Sequence, residues 1–400
     1  MFEGQRGESD NGWSGYGGPW PFTILDEPLL AHHVERLSGH HTIRDVDVVS
    51  FQPYPVPDHN QDRYLIEDWT IRGQRWRCIG LFDGHSDSRT VDYTVQHLPE
   101  TIKRSLLDAV ATEEIPSTAE VETLLRDSIT AFDNAMTEGL LSLFPGGVEA
   151  IARMSEEEVL AIAVVDGHPH PAIARCMGGT TALIALIDPE RNLYVASLGD
   201  CIALLGRRVD DETWSTTIMS SNHNGSDTQE AQRVRAEHPT EDEAVFNGRV
   251  CGVIAVTRAI GDHVFKLPMI YADKVFGIAD PQAYILKRLE VLRPRQLTPP
   301  YLSNVADIQR VSLSEVPTEE TVLIMASDGL VDISKTHEKP LSETAPRWVQ
   351  ATARSMEDKP ALRLLRLAMG GEDTKQVSFW LTVEMDTPWV DDTTILVTRV

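Results

Sequence analysis

Cysteine is scarce in this 400-residue chain: Cys78, Cys176, Cys201 and Cys251 are widely spaced and form no C-x-x-C pair. That pattern speaks against a disulfide framework and for buried, reduced thiols in a reducing compartment. Long apolar runs are also missing. The most conspicuous, Val159 to Val165, is far shorter than the roughly 20 residues a membrane-spanning helix needs. Basic residues are in deficit, with 36 Lys and Arg against 61 Asp and Glu and a formal net charge of −25. Nucleic acid and anionic membrane surfaces need basic patches, so the balance excludes them as general partners and favours cation accumulation. The acidic, glycine-rich start, Met1 to Asp10, carries neither the apolar stretch of a secretory signal nor the arginines of a mitochondrial transit peptide. With 42% hydrophobic residues, the chain has the material for one large domain with insertions, or for two domains.

What the sequence does have is acid placed at the ends of short β-like runs. Asp83-Gly84-His85 follows the run Cys78 to Phe82, and three later clusters repeat the setting. They are Leu198-Gly199-Asp200, Ala326-Ser327-Asp328-Gly329-Leu330-Val331-Asp332 and Asp391-Asp392-Thr393-Thr394. Glycine and small residues beside each carboxylate let backbone approach a ligand closely. Without a Cys or His set, gathered carboxylates form an oxygen-rich site for hard divalent cations such as Mg²⁺ or Mn²⁺. A second D-G-H, Asp166-Gly167-His168, runs into Pro169-His170-Pro171 and is expected to be an exposed loop apart from the active centre.

Organisation follows from periodicity. Residues 1–21, rich in Gly, Trp and Ser, read as a flexible or loosely docked arm whose tryptophans pack onto the domain surface. Val91, Val95, Leu98, Ile102 and Leu106 keep helical spacing, and the capping box Ser117-Thr118-Ala119-Glu120 opens a second helix through Leu124, Leu125 and Phe132. Residues 181–187, 193–198 and 202–205 read as consecutive antiparallel strands, 227–238 as a helix, 321–326 as a strand and 394–400 as a closing strand. Strand meanders alternating with helix pairs imply an α+β, sheet-on-sheet core covered by helices.

Taken in order, seven segments resemble the metal-dependent protein phosphatases of type 2C, of the PPM-type superfamily, from about Pro53 to Val400. They are Asn60-Gln61-Asp62-Arg63, Leu81 to His85, Gly178-Gly179-Thr180-Thr181-Ala182, Leu198-Gly199-Asp200, Gly252 to Asp262, Ser327-Asp328-Gly329-Leu330 and Asp391 to Val397. Ser221-Asn222-His223-Asn224, Glu237-His238-Pro239 and Pro299-Pro300-Tyr301-Leu302 look most like the pyruvate dehydrogenase phosphatase branch. The resemblance implies a four-layer αββα sandwich: one phosphatase domain over 22–400, with insertions near 139–177 and 335–390. It also implies hydrolysis of phosphoserine and phosphothreonine in proteins by a water activated between two divalent cations, Mg²⁺ or Mn²⁺. Asp62, Asp83, Asp328 and Asp391 would supply carboxylates and Gly84 its carbonyl, with Asp83 bridging. Asp200 and Asp332, together with Asp328, match residues that hold a third, weaker metal. His85 would give a proton to the leaving oxygen, and Asp262 would order backbone near the site. Phosphorylated proteins are the implied partners of an intracellular monomer, cytoplasmic or nuclear, with the branch likeness keeping mitochondria open.

The chain departs from the family at three places. Gln61 stands where Glu is common, Pro57 where many relatives carry a phosphate-holding arginine, and Ser86-Asp87 where small residues usually follow D-G-H. Arg63 is the nearest substitute for that arginine, with a core ion pair as its other reading. These departures raise a competing function, a weak or inactive relative that binds phosphoprotein or a partner through the same surface. A metallohydrolase of small phosphate esters is a further alternative.

Overall fold

A computed structural model describes residues 4–13, 17–55, 60–110, 115–334 and 340–400; Pro57 lies outside them. Contacts divide the chain into two compact units, one of Met1–Asp62, Ile202–Met219 and Leu313–Val400, the other of Arg63–Cys201 and Ser220–Ser312.

The first unit is built on a six-stranded antiparallel sheet in the order Trp214–Ile218, Ile202–Arg208, Thr321–Ala326, Thr393–Thr398, Val46–Phe51 and His41–Ile43. The two central strands, TVLIMA and TTILVT, are buried along their whole length. Their registers, Ala326 opposite Ile395 and Thr394 opposite Ser50, bring the ends of three chain segments together. In the helix Leu341–Arg354, Ala345, Trp348, Val349 and Thr352 are buried at i, i+3, i+4 and i+7, which turns one face inward. With Leu364 and Leu365 of Pro360–Met369 and Phe379 of Thr374–Thr382, that face packs on Val49, Leu204, Ile324, Ile395 and Val397. The described part of the 335–390 insertion is therefore core, because its apolar spacing has this sheet to cover. The arm expected to be flexible carries an antiparallel strand pair, Gln5–Ser9 with Trp20–Ile24. Its Trp13 ring meets Trp20, Phe379 and Trp380 edge-on at 5.8, 6.0 and 6.0 Å.

The second unit holds a seven-stranded sheet whose path runs Ile260–Gly261, Gly179–Thr180, Gln74–His85, Ala182–Ile187, Asn192–Leu198 and Asp307–Ser312, with Asp62–Ile71 also pairing Gln74–His85. Arg72 and Gly73, at φ 47° and 82°, make the two-residue turn of that last hairpin. Ser88–Ala109 is capped by Asp87, and Thr118–Leu141 by the Ser117–Glu120 capping box. Their apolar faces, including Val91, Leu98, Ile102, Leu125, Ile129 and Phe132, pack with Cys78, Phe82, Ile184 and Tyr194.

One expected connection is corrected. The strand starting at Ile202 does not follow Asn192–Leu198 in its sheet; it pairs Thr321–Ala326 in the first unit. Gly199, at φ 108°, turns the chain out of the first strand, a conformation closed to most side chains. The second D-G-H is a hairpin tip: Asp166 and Gly167, at φ 51° and 78°, link Val164–Val165 to His168–Pro169, with Asp166 and His168 exposed. None of the four cysteines is in a disulfide, and all are buried. Among the described residues no helix is long and apolar enough to cross a membrane.

Trp348, 2% exposed at the centre of the helical face, gives the stability test. Trp348→Ala should lower unfolding free energy by about 3–5 kcal/mol, read as a fall in the urea midpoint; a shift worth under about 1 kcal/mol would contradict the packing.

Candidate active site

In the second unit, the strand Gln74–His85 delivers Asp83, Gly84 and His85 to its end, where Gly84 and His85 pair Thr180 and Gly179. The Asp83 N–H donates to Thr181 Oγ1 at 3.1 Å, and the Thr181 N–H donates to the Asp83 carbonyl at 2.9 Å. These two hydrogen bonds fix the backbone from which the Asp83 carboxylate projects. Asp200 arrives from the turn at Gly199, and one of its carboxylate oxygens lies within 4.8 Å of one of Asp83. Asn224 Nδ2 donates to Asp200 Oδ2 at 2.7 Å. Burial pushes the Asp200 carboxyl above its ordinary range, against the Asn224 hydrogen bond.

His223 clamps the turn that carries Asp200. Its N–H donates to the Gly199 carbonyl at 3.0 Å, and its Nδ1 accepts the Gly199 N–H at 3.2 Å. That leaves Nε2 to donate to Asp307 Oδ2, 3.0 Å away. The His223 hydrogen bond, aided by the Arg258 charge, holds the Asp307 carboxyl well below the usual carboxylate range. The Ser221 to Asn224 segment, a branch marker in the sequence, is thus the support of a loop that carries a site residue.

His85 has its own partner. Asp262 Oδ2 lies 2.7 Å from His85 Nε2, with the His85 side chain 28% exposed and that of Asp262 2%. Asp262 orders backbone as expected, its N–H donating to the Gly178 carbonyl at 2.7 Å, and its carboxylate also holds the imidazole. Sequence reasoning missed this second task, although the glycine-then-acid pattern of Gly261-Asp262 matches Gly199-Asp200. Gly179 makes the pairing sterically accessible, since a Cβ there would stand 2.0 Å from Asp262 Oδ2 and 2.5 Å from His85 Nε2.

The first unit holds Asp62, Asp328, Asp332 and Asp391. Asp62 is buried, and Ser327 Oγ donates to its Oδ2 at 2.7 Å while accepting the Thr394 N–H at 2.9 Å. One hydroxyl thereby ties the Asp62, Asp328 and Asp391 segments. Burial pushes the Asp62 carboxyl up to about 7, with Ser327 opposing and Asp392 adding to the rise. Asp328 stands before the short helix Gly329–Ile333, on which Asp332 is exposed. A Cβ at Gly329 would meet the Asp392 carbonyl at 2.3 Å, so the small residue lets the two acidic segments touch. Asp391 is exposed and its Oδ1 accepts the Asp392 N–H at 2.9 Å. Asp392, its buried neighbour, accepts from the Gln61 N–H at 2.6 Å and from Gln52 Nε2 at 2.8 Å.

Arg63 Nε donates to Asp92 Oδ1 at 2.7 Å, the ion pair named above as the alternative to phosphate holding. The donors of each unit are oxygen throughout, and buried acids whose ionisation is opposed by burial fit a hard divalent cation, which would compensate their charge.

Comparison with known proteins agrees with this chemistry. Residues 60–374 match the family model described as protein phosphatase 2C. A protein phosphatase 2C homolog of Schizosaccharomyces pombe is 25% identical over 84% of this chain and 76% of its own length. The mitochondrial pyruvate dehydrogenase (acetyl-transferring) phosphatase 1 of Saccharomyces cerevisiae is 24% identical over 80% of this chain, which spans about half (51%) of that relative. The human protein of the same name is 30% identical over 38% of this chain and 28% of its own length. The crystal structure of serine-threonine phosphatase 2C from Toxoplasma gondii aligns with 90% of this chain and 96% of its own, at a TM-score of 0.51 and 14% identity, a likeness of fold that agrees with the α+β sandwich class. A family match running from the Asp62 segment past the Asp328 segment leaves one conclusion: the chain belongs to the protein phosphatase 2C family, the metal-dependent protein serine/threonine phosphatases.

Proposed function

We propose that Asp83, Asp62, Asp328 and Asp391, with the Gly84 carbonyl, hold two Mg²⁺ or Mn²⁺ ions, that Asp200 and Asp332 join Asp328 in holding a third, and that His85 is the proton donor to the leaving group. The observation that carries this reading is the His85–Asp262 pair at 2.7 Å, at the end of the strand that also delivers Asp83. When bound, the cations lower the pKa of a water and neutralise phosphate oxygens. The water oxygen bonds to phosphorus as the bond from phosphorus to the seryl or threonyl oxygen breaks. His85 gives its proton to that departing oxygen, and the proton released by the water restores the imidazolium. Asp262, buried and within 2.7 Å of His85 Nε2, fixes the orientation of the ring. Asn224 and His223 hold Asp200, and Ser327 holds Asp62.

Phosphorylated proteins are the substrates under this reading, and the likeness to pyruvate dehydrogenase phosphatases makes phosphorylated pyruvate dehydrogenase the first to test. The phosphatase would act as a monomer inside the cell, with neither nucleic acid nor membrane as a partner. Arg63 as a phosphate contact would share its guanidinium with Asp92.

Turnover of a phosphoserine peptide should vanish in excess chelator and return with Mn²⁺. Asp83→Ala and Asp328→Ala should each cost about 100-fold in kcat, about 2.7 kcal/mol of barrier, in protein that melts like the parent. Full activity in chelator, or in either variant, would move the active centre elsewhere.

Gly179→Ala drives a methyl group between His85 and Asp262, so kcat on the same peptide should fall about tenfold with the fold retained. An unchanged kcat would show that the pair is dispensable. The exposed hairpin supplies a control: replacing Asp166 and His168 by Ala should leave turnover within about threefold, and a loss like that of Asp83→Ala would mean the wrong D-G-H carries the chemistry.

A further inference from the structure

Asp133, on the helix Thr118–Leu141, is completely buried and belongs to none of the acidic clusters. Its Oδ1 accepts the Gly261 N–H at 2.8 Å; its Oδ2 accepts Lys266 Nζ at 2.7 Å and Asn304 Nδ2 at 2.9 Å. Lys266 Nζ also donates to the Ala259 carbonyl at 2.8 Å. The pair therefore grips backbone just before Asp262, at Ala259 and Gly261, and Lys266 itself lies just after it. Between these anchors Asp262 sits at φ 52° and ψ 39°, a left-handed conformation unfavourable for a non-glycine residue. Such a conformation persists where its surroundings over-determine it.

A buried ion pair is a weak source of stability, since well-packed apolar residues of similar volume often do as well or better. What an apolar pair would lack is an acceptor for the Gly261 N–H. Burial is the largest single influence and opposes the Asp133 charge, but Lys266, His263 and the Gly261 N–H together outweigh it and hold the carboxyl below its ordinary range, so that acceptor stays anionic.

We propose that Asp133 and Lys266 form a positioning pair that sets the Gly261-Asp262 turn so that the Asp262 carboxylate meets His85 Nε2. The role rests on the reading of His85 as proton donor. Its signature is a change in leaving-group dependence. A seryl alkoxide needs a proton as it departs, whereas p-nitrophenolate is stable without one near neutral pH.

The readout is the ratio of kcat for p-nitrophenyl phosphate to kcat for a phosphoserine peptide, at saturating Mn²⁺. His85→Gln should raise that ratio at least about tenfold. Asp133→Ala with Lys266→Met, which removes both charges, should raise it about tenfold and add nothing in the His85→Gln background. Asp133→Asn with Lys266→Met keeps a carbonyl acceptor for the Gly261 N–H but loses the Lys266 anchor on Ala259, so it should bring the ratio back to within about threefold of the parent. Equal losses on both substrates in folded protein, or no loss, overturn the positioning role. If His85→Gln raises the ratio and the double variant does not, the positioning role alone falls. If His85→Gln leaves the ratio unchanged, the proton-donor reading falls and takes this proposal with it. Should the Ala/Met variant fail to fold by thermal melt, Asn304→Ala leaves the ion pair in place and loosens Asp133 alone. It should raise the ratio about threefold, and an unchanged ratio there is equally decisive against the proposal.

Discussion

Like charges held close together under low solvent exposure set the terms for everything else in this protein. Asp83 and Asp200 bring carboxylate oxygens within 4.8 Å, where two full charges repel by on the order of 3 kcal/mol at an effective dielectric near 20. Burial adds to the difficulty in both units, lifting Asp200 above its ordinary range and Asp62 to about 7. An acid raised in this way binds more protons folded than unfolded. Without cations, its contribution to stability therefore falls as pH climbs from about 4 to 7. A divalent cation reverses the sign, because it binds the ionised form that burial disfavours. The site is a strained arrangement of protein groups and a favourable one for metal.

Local devices hold that arrangement, and each works within its own unit. Ser327 donates to Asp62 and accepts from Thr394, so one side chain positions three segments of the first unit. In the second, His223 grips Gly199 through two hydrogen bonds while Asn224 grips Asp200. Glycine is required where atoms crowd. Gly329 lets the Asp328 segment touch Asp392, and Gly179 lets His85 reach Asp262. Around these points large apolar faces supply stability, which allows the ends of the strands to carry groups that contribute none.

Much of this was legible in the sequence because it was written in local patterns. The capping box at Ser117, the helical spacing from Val91 to Leu106 and the acid-glycine strand ends each have a short-range cause and appear where expected. The passage from Leu198 to Ile202 was not legible as a change of sheet, since a glycine between two apolar strands reads equally well as a hairpin. Asp391 and Asp392 are adjacent and chemically alike, and only the fold decides that Asp392 is the buried one. Asp133 left no trace at all: one acid within an amphipathic helix looks like a solvated position until Lys266 and Gly261 are brought to it. In residues 1–21 the tryptophans signalled the packing that Trp13 makes on Trp20, Phe379 and Trp380, while the strand pair was hidden by a glycine-rich composition.

Charge also constrains how phosphate can be received. The chain as a whole carries −25, so an anionic substrate approaches against the mean field and needs local neutralisation. The arginines close to the D-G-H motif are committed: Arg63 to Asp92, and Arg89 Nη2 to Asp87 at 2.8 Å and Asp280 at 3.1 Å. Withdrawing either from its carboxylate would leave a negative charge uncompensated. Under the proposed assignment the cations supply neutralising charge, which ties substrate capture as well as bond cleavage to metal occupancy.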